Sequence, residues 1–97
     1  MSNVSWINRD AEIAAMTAKH LRAEGHIKPD RTNAGGQAWR YSVSEVSHLS
    51  EGLVHAGNCH KFGFEAVPGQ PGWVRMSSSA SPATVISRLL NMARAAA

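Results

Sequence analysis

The run Pro68-Gly69-Gln70-Pro71-Gly72 constrains this chain more than any other segment, because it lies between two stretches that read as strands. Before it, Phe62, Phe64 and Ala66 alternate with Lys61, Gly63 and Glu65; after it, Trp73 to Ser77 can return as a partner. Proline fixes one backbone dihedral and glycine takes positive φ at no steric cost, so together they reverse the chain. Residues 61–77 are therefore expected to form a β-hairpin, which commits part of the fold to antiparallel pairing.

Helical periodicity brackets this hairpin. A first helix is expected from about Arg9 to Glu24, with Asn8 as N-cap, Asp10 and Glu12 in the first turn and Gly25 as the stop. Its core stripe would be Ile13, Met16, Thr17, His20 and Leu21. Ser42 followed by Glu45 has capping-box spacing and opens a second helix, expected to run to about Ala56 and to bury Val46, Leu49, Leu53 and Val54. Ser81 as N-cap with Pro82 in the first helical position opens a third, whose stripe is Val85, Ile86, Leu89, Leu90 and Ala93.

Between the first two helices, residues 26–36 hold Pro29, Asp30, Asn33 and Gly35-Gly36 and are expected to be a surface loop. Gln37 to Val43 then alternates Trp39, Tyr41 and Val43 against Ala38, Arg40 and Ser42, the pattern of a strand. A further short strand at Val4 to Ile7 would also fit. The expected order is α-β-α-β-β-α: a single α+β domain over residues 1–97, with a three-stranded, mostly antiparallel sheet covered by helices. A chain of this length buries somewhat more than ~60% of its unfolded surface. With 43% hydrophobic and 18% charged residues, it is not of disordered composition.

No stretch is long and apolar enough to span a bilayer, the first ten residues lack the pattern of a secretory signal, and the lone Cys59 has no internal disulfide partner. The expectation is a cytoplasmic protein with no membrane association. Its formal charge is +3, and the excess is uneven. Acids and bases balance through residue 65, whereas Arg75, Arg88 and Arg94 have no acidic counterpart in the last third of the sequence.

Catalytic and metal-binding chemistry find no compact residue set. His48, Glu51 and His55 would share the exposed side of the second helix, but the two histidines would lie about 10 Å apart along the axis, too far for one tetrahedral zinc. Cys59 and His60 are adjacent and would point opposite ways in a strand. Cys59 lacks a nucleophile signature, and buried thiols are common. His20, within an apolar stripe, reads as architectural. The glycines have neither Walker nor dinucleotide-fold spacing, so no cofactor is expected.

The residues left as binding candidates are Arg75, Arg88, Arg94, Trp73 and Trp6, because tryptophan and arginine are the side chains that most often anchor interfaces. Trp39 is expected to take a core or half-buried place on its strand. The resulting expectation is a non-enzymatic binding protein that docks on another protein or on a protein–nucleic-acid complex. Small inhibitors carried by phages and mobile elements, anti-CRISPR proteins among them, are similar in size and plainness alone. An alternative is direct binding of nucleic acid. The order helix, strand, helix, hairpin partly resembles a winged helix, with the hairpin as wing. A helix between residues 44 and 60 is then lacking, and the reading face would offer His48, Glu51 and His55 in place of Arg, Lys or Asn. A small enzyme with an unrecognised site is the third expectation.

Overall fold

The computed structural model describes residues 3–30, 38–76 and 80–96, with side chains of the first helix described from Asp10 onward. Helix α1 spans Asn3–Ala23, strand β1 Ile27–Asp30, strand β2 Ala38–Ser42 and helix α2 Val43–Leu49. A 3-10 turn at Cys59–Phe62 leads into β3, Phe64–Ala66; β4, Trp73–Met76, and α3, Pro82–Ala96, complete the chain. The strands form a four-stranded sheet in the order β1-β2-β4-β3, and every neighbouring pair is antiparallel. The α+β class is as expected. The sheet has one strand more than expected, because residues 27–30, assigned to the loop, pair with β2.

The expected hairpin is present but its first strand is shorter than expected, because Lys61 and Phe62 belong to the 3-10 turn; Phe64 lies opposite Met76 and Ala66 opposite Val74. Its β4 arm also pairs with β2, through Arg40 opposite Arg75 and Tyr41 opposite Val74. The hairpin is thus half of the sheet and not a free wing. Ile27, Tyr41, Val74 and Phe64 point to one face of the sheet, where helices cover them, and all four are buried.

The third helix runs as the sequence predicts. Thr84 N–H donates to Ser81 Oγ at 3.3 Å, and Val85, Ile86, Leu89 and Ala93 are buried. Burying one such large aliphatic side chain is worth about 1.5–3 kcal/mol.

The first helix departs from the reading in two ways. It begins at Asn3, so Asn8 is not its cap, residues 4–7 are helical, and Asp10 and Glu12 lie beyond the first turn. Its buried face is Ala14, Ala18 and Leu21, whereas Ile13 and Met16 are 44% and 72% exposed and His20 is exposed. The reason is close packing: α1 lies along α3, and alanines let two helix backbones approach where isoleucine and methionine would hold them apart. Gly25, at φ +82°, ends the helix as expected.

Helix α2 starts at the expected cap, with Glu45 N–H donating to Ser42 Oγ at 3.3 Å, but it stops at Leu49 instead of Ala56. Glu51 and Gly52 both take left-handed backbone conformations, at φ +54° and +84°, which an α-helix cannot accommodate. Leu53 consequently points outward at 39% exposure, while Val54 is fully buried. Ser50 holds this corner. Its fully buried hydroxyl donates to the Val46 carbonyl at 2.9 Å and accepts from the Val54 N–H at 3.0 Å. Ser50→Ala strands a buried amide and is expected to cost about 1–3 kcal/mol in urea unfolding. A loss within error of wild type would mean that water reaches the corner.

Among the described residues no helix is long and apolar enough to cross a membrane.

Candidate binding surface

The sheet face turned away from the core follows directly from strand alternation. It carries Lys28 and Asp30 from β1, Ala38 and Arg40 from β2, Trp73 and Arg75 from β4, and Glu65 from β3. Register places Lys28, Arg40, Arg75 and Glu65 in one row across the four strands. Arg40 directly faces Arg75, an unfavourable pair unless an anion lies between them. Asp30 supplies it. Its side chain is fully buried, with Oδ1 accepting from Arg40 Nη2 at 2.9 Å and Oδ2 from Arg75 Nη1 at 3.0 Å. Arg75 Nε also donates to Glu65 at 2.8 Å. These bonds, to Glu65 first and then Asp30, raise the Arg75 pKa further above its ordinary value.

The three arginines therefore have different surroundings. Arg75 belongs to the ionic row just described. Arg94 joins α3 to α1, with Nη2 donating to Asp10 Oδ1 at 2.9 Å and Nη1 to Oδ2. That pairing raises the Arg94 pKa. The acids missing from the last third of the sequence come from distant parts of the chain: Asp30 for Arg75 and Asp10 for Arg94. Arg88 is exposed on α3, and no carboxylate among the described residues lies within ion-pair distance of it.

Trp73 is half-buried on the outer face, with Lys28 Nζ 5.0 Å from its ring centroid. Trp39 is half-buried as expected, and the Arg22 guanidinium lies over it at 4.7 Å. Such stacked pairs hold a cation in place without neutralising it. The sequence reading missed Lys28 and Arg22, since both lie far along the chain from the tryptophans they meet. Trp6 belongs to α1 by backbone, and its side chain lies outside the described residues.

The polar groups considered for chemistry do not converge. His48 is exposed near the end of α2, whereas His55 lies beyond the helix with its Nδ1 accepting from Gly57 N–H at 3.1 Å. Cys59 is buried, its thiol 3.7 Å from the Ala56 carbonyl. Tyr41 is buried against Phe64, and burial pushes its phenol well above the ordinary pKa. Among the described residues, no three His, Cys, Asp or Glu side chains group closely enough to hold a metal ion.

No match was found to protein-family models, curated proteins or solved structures. The surface chemistry alone carries the functional argument.

Proposed function

We propose that this is a non-catalytic binding protein that docks on an acidic surface of another protein. One observation carries the reading. Once the fold has paired its charges, the exposed cations without a carboxylate partner among the described residues are Lys19, Arg22, Lys28, Lys61 and Arg88; Glu12 and Glu51 have no basic partner, and Glu24 and Glu45 meet only His20 and His26, which are charged only when protonated. Two of these cations are held over tryptophan rings, which limits the side-chain entropy lost when a partner engages them. The lone buried thiol fits action in the reducing cytoplasm.

Nucleic acid is the less favoured partner. The hairpin that a winged helix would present as its wing is paired on both sides of β4.

The test is affinity capture from host lysate with and without nuclease, followed by kinetics of the captured complex. A protein partner should survive nuclease. Lys28→Glu with Arg88→Glu should slow association by roughly tenfold at low salt and flatten its salt dependence, because peripheral charges act mainly on encounter. Arg75 and Arg94 are unsuitable for this purpose, since reversing either one disturbs an internal ion pair. Capture of nucleic acid alone, or an unchanged association rate in the double variant, overturns the reading.

A further inference from the structure

A groove of about 760 Å³ runs between the end of α1, the outer strand β1 and the start of α3. Its apolar walls include Ala18, Pro29, Trp39 and Pro82, and its charged residues are Lys19 and Arg22. No acid lines it among the described residues. Lys19 and Arg22 stand three positions apart on α1 and so present their charges side by side. Neither has a carboxylate partner among the described residues.

The Arg22 guanidinium lies over the Trp39 ring, its Cζ 4.7 Å from the ring centroid. A guanidinium with no carboxylate partner offers an N–H fork that matches the two oxygens of a carboxylate. The arginine over Trp39 also occupies a face on which a nucleobase could otherwise lie, which disfavours a single-stranded nucleic acid here.

We infer that this groove is a recognition site for an acidic peptide segment of a protein partner. Arg22 binds one carboxylate in bidentate fashion with Lys19 beside it, and a neighbouring apolar side chain packs on Pro29 and Ala83. The inference rests on the docking reading above and gives that reading a definite ligand chemistry.

The probe is a short synthetic peptide alternating glutamate and leucine, titrated into the isotope-labelled full chain and followed by NMR. Saturable shifts are expected at the Trp39 indole N–H and at the amides of Lys19, Arg22 and Ala83. The same peptide with glutamine in place of glutamate should leave them unmoved, and this control on the wild-type chain does not depend on any variant folding. Arg22→Gln should weaken binding by about tenfold, with Arg22→Lys intermediate because it keeps the charge and loses the fork. Equal shifts with the glutamine peptide, or none at Trp39 with the glutamate peptide, overturn the site. So does a captured protein partner that responds to Arg88→Glu and ignores Arg22→Gln, an outcome that leaves the docking reading standing. Capture of nucleic acid alone removes the docking reading itself; if the peptide still binds as described, the groove remains a carboxylate site.

Discussion

Asp30→Ala is expected to cost the fold about 3–5 kcal/mol. The carboxylate is fully buried and lies between Arg40 and Arg75, which face one another across β2 and β4. Removing it leaves two guanidinium groups in register without the carboxylate they share, and the Arg40 side chain is only 15% exposed. Water can replace little of what is lost. Glu65→Ala serves as the contrast. Its side chain is 53% exposed at the end of the same row, so its removal should cost at most about 1 kcal/mol. The two variants compared by urea denaturation decide the matter: similar small losses would mean that the arginines find solvent once Asp30 is gone.

Leu89→Ala is expected to cost about 2–5 kcal/mol, because Leu89 is 2% exposed in the centre of the α3 stripe and its removal opens a cavity that close packing cannot fill. Leu53→Ala, a substitution that the sequence pattern alone would rank alongside it, should cost far less, within about 1 kcal/mol. Leu53 follows the left-handed turn at Glu51 and Gly52 and is 39% exposed. Equal melting-temperature losses in the two variants would place Leu53 back in the core and require α2 to continue through residue 52.

The contrast between these leucines shows what could be read from the sequence. The third helix and the hairpin were legible because their signals are local: Ser81-Pro82 sets the start of α3, and Pro68 to Gly72 sets the turn between β3 and β4. The end of α2 was not legible. Gly52 is tolerated in many helices, and what stops the chain is the Ser50 hydroxyl bonded on both sides of the corner, a tertiary arrangement. Strand β1 was hidden for a related reason. Pro29 and Asp30 belong to the vocabulary of loops, and only pairing with β2 and the ionic row behind it make Ile27–Asp30 a strand.

The binding candidates divide along the same line. Counting charge along the sequence singled out Arg75, Arg88 and Arg94 as one group, but ion pairing depends on distance in space. Asp30 and Asp10 reach two of the three from 45 and 84 residues away. The stripe on α1 failed for a different reason: hydrophobic content favours Ile13 and Met16, whereas the neighbouring helix selects for small volume and takes Ala14 and Ala18.

Pro29 also governs what the protein does in a crowded solution. Ser42 N–H donates to the His26 carbonyl, so residues 26, 28 and 30 turn their backbone groups toward β2 while Ile27 and Pro29 turn theirs outward. Proline has no N–H to offer there, and its ring occupies the space where an added strand would have to sit. At the opposite end the sheet closes with β3, which is only three residues long. Neither margin makes a good template for another strand, which disfavours edge-to-edge pairing between copies of the sheet.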